Sequence, residues 1–350
     1  MAAQLVSSSR GALAIAGSAV GVAFLLRAVG DVREDVLSWL SPIGWGQATY
    51  PFHLDRWWPL LLCIGAAAAL VGGAVLLLDR RDLGAGLLPD RTGPRAAGPF
   101  LGGPLGLAWR LQRGTVAGWT AGLAVTGLAY GSLVDATEDL VAQNPEIVEF
   151  IPGGTRDVVA GYLVLTVQLL AFLAACAGVA MVLRLRSEEQ AGRAEPLLAT
   201  ATSRVRWASS HVVVALAATG AAVLLSVLLV AGAASATGVT SPVLGDVLLA
   251  AAVLLPAAWV LTGLAVALWG ADARLAPWAW LGVGWSAAVV VLGTSLDLPG
   301  WARWLSPFEH VPAVPLEDPT PWPSLVLLAL AAALTVGGVL LWKHRDLRTG

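Results

Sequence analysis

A polar segment between two apolar runs holds the residues best suited to a specific interaction with a partner. Residues 184–206, RLRSEEQAGRAEPLLATATSRVR, contain five arginines and three glutamates, and the apolar runs 158–183 and 212–236 flank them. Each run is longer than the roughly 20 residues that cross a bilayer core. A charged segment between two spans lies at a membrane face, and its arginines indicate the cytoplasmic face.

The order of residues inside this polar segment predicts a short helix. Ser187 is a suitable N-cap for Glu188 and Glu189, because acids favour the first turn of a helix. Glu189 and Arg193 stand four positions apart and are expected to form an ion pair. Pro196 either divides the segment or begins a second turn. The alternative interpretation is an ordinary solvated loop that anchors two spans.

The same residues resemble a known family. The order Glu-Glu-x-x-Gly-Arg-x-Glu, then Leu-Leu-Ala-Thr and Ser-Arg, is similar to the cytoplasmic loop of ABC-2 type permeases, especially the actinobacterial exporters of polyketide antibiotics. In such permeases this loop, between the second and third spans of a six-span unit, is the coupling helix that docks on an ATPase subunit. The resemblance therefore implies an ATPase-coupling role for Glu188, Glu189, Gly192, Arg193 and Glu195.

Composition predicts an all-α polytopic membrane protein. The 350 residues are 57% hydrophobic and 13% charged, with a formal net charge of −2. The only lysine, Lys343, precedes His344, so these residues contain no phosphate-binding G-x-x-x-x-G-K-[ST] loop. We expect a separate ABC ATP-binding subunit to bind the ATP, and no cofactor, metal or nucleic acid to bind this chain. Cys63 and Cys176 lie in apolar runs and are expected to be packing residues.

Eight spans with both termini in the cytoplasm give the best agreement between loop charge and side. Acidic residues 135–157 are then outside, most of the arginines are inside, and the chain is a multi-pass protein of the plasma membrane. Asp246 and His211 lie near span ends and are expected at the interface. The eight predicted spans are 11–26, 59–78, 115–134, 158–183, 212–236, 243–269, 277–292 and 323–342.

Residues 105–113 alternate apolar and basic residues at helical spacing, which is typical of an interfacial amphipathic helix. ABC-2 permeases have such an elbow helix before their first span, so the resemblance assigns this position to Trp109, Arg110 and Arg113. In the span that follows, Gly118-x-x-x-Gly122 and Gly127-x-x-x-Gly131 favour close helix packing, within the chain more than between subunits.

Several short sequences recur at an offset of 264–265 residues, which indicates a duplicated unit. We predict that residues 1–83 are the last two spans of a first, incomplete repeat, that 84–103 is a cytoplasmic linker, and that 104–350 is a complete six-span unit. The pairs are Trp39-Leu-Ser-Pro42 with Trp304-Leu-Ser-Pro307, Trp58-Pro59 with Trp322-Pro323, Val71-Gly-Gly73 with Val336-Gly-Gly338, and Arg81-Asp-Leu83 with Arg345-Asp-Leu347.

The sequence Trp304-Leu-Ser-Pro307, which contains Ser306, has two interpretations. The resemblance implies a short re-entrant helix that closes the outer gate before the last span. The alternative is a surface aromatic belt at the membrane interface.

The leading functional hypothesis is a permease subunit that exports a hydrophobic or amphipathic small molecule, such as an antibiotic or other drug. Its expected partners are an ABC ATP-binding subunit, membrane lipid, and a dimer mate or another permease unit. An ion-coupled carrier would need ionisable residues at mid-membrane, which the predicted spans essentially lack. A membrane accessory or immunity protein without transport is the third hypothesis, because the first repeat is incomplete.

Overall fold

The computed structural model describes residues 1–33, 36–78, 86–88, 96, 98–137, 141, 158–237, 243–292 and 298–346. These residues form α-helices, short 3-10 helices and connecting turns, and no strand occurs among them. The chain divides into two compact units, Met1–Ala96 and Ala97–Gly350. The all-α fold that composition predicted is confirmed.

The first unit contains two long helices and short elements between them. Ser41 caps one short helix, because its Oγ accepts a hydrogen bond of 3.3 Å from the backbone N–H of Ile43. The rings of Trp39 and Trp58 stack with their centroids 5.4 Å apart. The helices are α1 (Ala2–Leu5), α2 (Ser9–Arg33), the 3-10 helix Val36–Leu40, α3 (Pro42–Gln47) and α4 (Pro59–Leu78).

The second unit is a helical bundle. Pro104 begins its first long helix at a position where a missing backbone N–H costs nothing. Its α-helices are α5 (Pro104–Ser132), α6 (Val158–Gln190), α7 (Ala194–Leu198), α8 (Arg204–Ala236), α9 (Val243–Ala271), α10 (Ala279–Leu292), α11 (Gly300–Trp304) and α12 (Pro321–His344). Short 3-10 helices lie at Pro99–Gly102, Ala276–Trp278 and Pro307–His310.

Helices α6, α8 and α9 form the centre of this bundle, and their apolar side chains are the main part of the core. Helix α5 packs along α8, and α12 packs along α9. Half or more of the most apolar stretch is buried in α6, α8 and α9, whereas 22% is buried in α12. The outer surface of the bundle is therefore apolar, as a lipid-facing surface must be.

Glycines allow close backbone contact at two helix crossings. Gly127 and Gly131 of α5 face the backbone of α8 at Ser226 and Val230, where a Cβ on either glycine would overlap main-chain atoms. The prediction of packing within the chain is confirmed for this pair. Gly118 and Gly122, in the other predicted pair, have nothing within contact distance of a Cβ. On the opposite side of the bundle, α12 crosses α9 in the same glycine-mediated way, at Gly338 and Gly270.

All eight predicted spans lie on helices, and five of these helices are long and apolar enough to cross a membrane: α4, α6, α8, α9 and α12. Within α2 the apolar part, Gly11–Phe24, is shorter, and α10 has 14 residues. The chain is a membrane protein with several spans. The number eight and the cytoplasmic position of both termini stay predictions, and most of the predicted outer loop 135–157 lies outside the described residues.

The two units contain a similar order of elements. In each, a short helix ends in a Trp-Leu-Ser-Pro sequence, the fully buried serine (Ser41 or Ser306) is the N-cap, and the proline begins the next short helix. The long helix that follows is α4 in the first unit and α12 in the second. The assignment of 1–83 and 104–350 as repeats stays a prediction. Residues 81–83 and 347, and half of the predicted linker 84–103, lie outside the described residues.

The predicted elbow helix is not a separate helix. Trp109, Arg110 and Arg113 lie on α5, which continues without interruption into the predicted third span. The helix continues because only Gly114 stands between the two parts, and a single glycine costs about 1 kcal/mol in a helix without ending it. All three side chains are exposed, so they can still lie at the membrane interface.

Candidate functional site

The polar segment begins as the last turn of α6. Ser187 does not cap a new helix; its Oγ donates a hydrogen bond of 2.8 Å to the carbonyl of Arg184, inside α6. The helix ends two residues before Gly192, which has a φ of 68°. The N–H groups of Gly192 and Arg193 donate to the carbonyls of Glu189 and Glu188 at 2.9 and 3.1 Å. This pattern is the Schellman motif, in which glycine in the left-handed region closes a helix.

Glu188 forms ion pairs with two arginines. Its Oε1 lies 2.6 Å from Nη2 of Arg184, and its Oε2 lies 2.7 Å from Nε of Arg193. The predicted pair of Arg193 with Glu189 was wrong, because the turn at Gly192 returns the chain towards Glu188. The hydrogen bond to Glu188 also raises the pKa of Arg193. Glu188 is only 4% exposed, so one buried carboxylate fixes the turn to α6.

Glu189 points into the bundle. Its Oε2 accepts hydrogen bonds from Nε1 of Trp269, at 3.1 Å, and from Nη2 of Arg345, at 2.9 Å. The glutamate is 2% exposed, and Arg345 is the residue that ends α12. One carboxylate therefore connects the end of α6 to α9 and to the end of α12. Glu189 is therefore a buried residue of the bundle and not a surface group.

Three buried tryptophans pack together next to Glu189. We call Trp207, Trp269 and Trp342 the tryptophan cluster. Trp269 and Trp342 stack with centroids 5.0 Å apart, and Trp207 lies 5.2 Å from Trp342. Arg204 stands 5.9 Å above the ring of Trp342, and its Nη1 donates to the Arg345 carbonyl at 2.5 Å. Such cation–π and aromatic contacts are stabilising when water is excluded. The cluster joins the polar ends of α8, α9 and α12.

A buried polar pair extends this cluster towards α5. Nε2 of Gln112 and Nδ1 of His211 are 2.9 Å apart, and the His211 ring lies 5.1 Å from the Trp207 ring. Both polar side chains are about 1% exposed. The expectation that His211 is interfacial was wrong, because α5 covers it. The end of α5 that carries Arg110 also lines a cavity of about 330 Å³ with Leu197 of the polar segment.

The remaining part of the polar segment is exposed. Arg193, Glu195 and Pro196 reach solvent in the turn after α6 and on α7. Pro196 lies in the first turn of α7, so it belongs to the start of a second helix, one of the two predicted alternatives. We call Arg193, Glu195 and Pro196 the exposed surface of the polar segment. The five predicted coupling residues therefore divide into two buried glutamates, one turn glycine and two exposed charges.

The predicted outer segment is well ordered by contacts with the bundle. Ser306 and Pro307 are buried, and the adjacent Phe308 lies edge-on to Phe172 of α6, with centroids 6.2 Å apart. Trp304 is exposed, and its carbonyl lies 2.8 Å from Nε2 of His310. An exposed tryptophan beside a buried serine and proline is compatible with both the re-entrant helix and the aromatic belt, so both stay predictions.

The residues that the sequence did not point to are Trp269, Trp342 and Arg345. Each tryptophan lies at the predicted cytoplasmic end of an apolar run, so the sequence did mark its position. Tryptophan at such a position ordinarily indicates the membrane–water interface rather than a buried cluster. Among the described residues, no group of three histidine, cysteine, aspartate or glutamate side chains could hold a metal ion.

Comparison with known proteins decides the family. The family model described as the C-terminal domain of the multidrug efflux system permease Rv1217c matches residues 101–343. The chain belongs to this permease family. It is also 40% identical over 354 residues to the multidrug efflux system permease protein Rv1217c of Mycobacterium tuberculosis. That match covers 99% of this chain and 64% of the relative's length. The resemblance to actinobacterial ABC-2 permeases is confirmed.

Proposed function

We propose that this chain is the transmembrane permease of an ATP-driven exporter of hydrophobic or amphipathic small molecules, including drugs. It acts in the plasma membrane with both termini in the cytoplasm, and a separate ABC subunit binds and hydrolyses the ATP. The permease family and the multidrug efflux role in the relative's name support this proposal. The observation that carries it is the division of the polar segment into an exposed surface and a buried base.

In the proposed mechanism the exposed surface docks on the ATPase. Arg193 and Glu195 supply one charge of each sign, so they can pair with complementary charges across an interface. When the ATPase subunits close, the force reaches Glu188 directly, because Arg193 is bonded to it. Glu189 then passes the movement to α9 and α12 through Trp269 and Arg345. In this mechanism α6, α9 and α12 therefore move as one group.

The positions of the buried ionisable groups favour this mechanism over an ion-coupled carrier. Proton- or ion-coupled transport uses ionisable side chains near mid-membrane. In the described part of the bundle, the fully buried carboxylates and imidazole are those of Glu188, Glu189 and His211. All three gather at the polar end, where the coupling segment lies. Among the described residues, the buried carboxylates are those at the polar end, whereas a carrier would need one along its transport route.

Transport into inverted membrane vesicles tests the proposal. The chain would be co-expressed with an ABC ATPase encoded beside its gene, and uptake of a hydrophobic fluorescent dye would be followed. We expect uptake that requires ATP and disappears when the phosphate-binding lysine of the ATPase is replaced by alanine. Uptake by the chain alone, driven by a proton gradient, would instead establish a carrier. Stable association with the ATPase without any transport would favour the accessory protein.

A further inference from the structure

Helix α5 is connected to the polar end of the bundle through a buried side-chain pair. Among the described residues, the hydrogen bonds of Glu188 and Glu189 connect α6 with α9 and α12, and none reaches α5. Helix α5 packs mainly along α8, and apolar contacts between helices are non-directional, so they allow one helix to shift along the other. The bond of 2.9 Å between Nε2 of Gln112 on α5 and Nδ1 of His211 on α8 does not allow this. A hydrogen bond weakens steeply when its angle changes, so it fixes the end of α5.

The Gln112–His211 pair is less favourable for stability than apolar side chains would be. Both residues are about 1% exposed. Oε1 of Gln112 and Nε2 of His211 are buried and have no hydrogen-bond partner in the part of the chain that the structure describes. Buried polar atoms without a partner destabilise the folded state, whereas two apolar groups of the same shape avoid this penalty. A functional requirement for the bond therefore explains the pair better than stability does.

His211 also contacts the tryptophan cluster, which lies next to the buried base of the polar segment. Its ring is 5.1 Å from the ring of Trp207, about one turn earlier on α8. The Trp207 ring is 6.3 Å from that of Trp269, and the indole N–H of Trp269 donates to Oε2 of Glu189 at 3.1 Å. A continuous series of buried contacts thus leads from Glu189 to α5 and ends at Gln112.

We propose that Gln112 and His211 are positioning residues that make α5 move together with α6, α9 and α12 when the ATPase closes. This inference rests on the proposed function. Neither residue can take part in docking, because both are buried. Loss of their bond should therefore leave association with the ATPase and ATP hydrolysis in place. It should reduce the amount of substrate that is moved for each ATP hydrolysed, since α5 would no longer follow the other helices.

The test measures dye uptake and ATP hydrolysis in the same inverted vesicles, which contain the full chain and its ABC subunit. Gln112→Leu with His211→Leu removes both members of the pair, so it should insert normally and leave no new unpaired group. We expect uptake per ATP hydrolysed to fall several-fold, with unchanged co-purification of the ATPase. A folding defect would instead lower uptake and hydrolysis together and leave their ratio unchanged. If the double variant does not insert, Gln112→Met, which keeps the unbranched shape, provides the same comparison.

A rescue variant and a matched control make the result specific. His211→Asn keeps a polar atom near the position of Nδ1, so it can still bond to Gln112 and should retain most of the original ratio. Ser226→Ala removes a buried hydrogen bond that lies within α8, from Oγ to the carbonyl of Val223 at 2.8 Å, and should leave the ratio unchanged.

Two kinds of failure are distinguishable. If the original chain transports and the double variant has the same uptake per ATP, the inference is overturned and the proposed function stands. An equal loss in Ser226→Ala, or a His211→Asn variant no better than the double variant, would also overturn the inference alone. Absence of ATP-driven uptake by the original chain would overturn the proposed function and this inference with it.

Discussion

Glu189 and Arg345 are separated by 156 residues and joined by a hydrogen bond of 2.9 Å between Oε2 and Nη2. The arginine side chain is 12% exposed and the glutamate side chain 1%. This pair closes the polar end of the bundle, because it connects the last turn of α6 to the residue that ends α12. Glu189 is the chain neighbour of Glu188, to which Arg193 of the exposed surface is bonded, so the pair links that surface to the end of α12.

Replacing Glu189 by glutamine should destabilise the permease strongly. The substitution leaves Arg345 buried without a negative partner, and breaking a buried pair in this way costs about 3–5 kcal/mol. Thermal unfolding of the protein in detergent should show a clearly lower midpoint. Glu195→Gln, an exposed charge on the same segment, is the control and should change the midpoint little. Equal midpoints for the two variants would mean that the buried pair contributes nothing.

Gly192→Ala should loosen the turn after α6. A residue with a Cβ at a φ of 68° costs about 1–2 kcal/mol, whereas asparagine tolerates this region better. We therefore expect the order glycine, asparagine, alanine in thermal stability. Ala191→Gly is the matched control, because residue 191 does not have a positive φ. A Gly192→Ala variant as stable as the original protein would show that the turn adopts another conformation.

Adjacent glycines in α12 should respond with opposite sign. Gly338→Ala places a Cβ against the backbone of α9, and such overpacking costs about 1–3 kcal/mol. Gly337→Ala faces open space and should gain up to about 1 kcal/mol from the higher helix propensity of alanine. Unfolding midpoints of the two variants, measured in the same detergent, separate these effects. Destabilisation by both to the same extent would contradict the described crossing.

The sequence was sufficient for the helices and for the place of the polar segment, since both depend on local patterns of apolar and charged residues. It was not sufficient for the direction of Glu188 and Glu189. The partners of Glu189 lie 80 and 156 residues away, so no local pattern could reveal them. Glu188 could not be assigned to Arg193 either, because helical spacing favours a four-residue pair and the turn at Gly192 changes the geometry.

Helix boundaries that no proline marks were also difficult to predict. The end of α5 was expected to be a separate elbow, yet no proline interrupts it, and Gln112 of that region is buried against His211. The repeat stays a prediction, which rests on identical short motifs that recur at nearly one offset. The close packing of α12 became clear only from the structure, where Gly338 contacts the backbone of α9.

The ATPase assay on the reconstituted exporter tests the proposed coupling most directly. Glu188 is unsuitable for this test, because it is buried and its removal would disturb the turn after α6. The informative variant is therefore Arg193→Ala with Glu195→Ala, which leaves both buried glutamates in place and keeps the ion pair of Glu188 with Arg184. An exposed ion pair contributes about 0–1 kcal/mol to folding, whereas a charge pair in a docked interface can be worth about 2–5 kcal/mol.

The control is Arg303→Ala with Glu309→Ala, which removes an exposed ion pair from the predicted outer segment. Both double variants should insert in the membrane at normal levels. Co-purification with the ATP-binding subunit and substrate-stimulated ATP hydrolysis should fall at least about tenfold, the equivalent of 1.4 kcal/mol, in the first variant and stay unchanged in the second. Equal stimulated hydrolysis by the two variants would show that the polar segment anchors two spans and does not couple the permease to an ATPase.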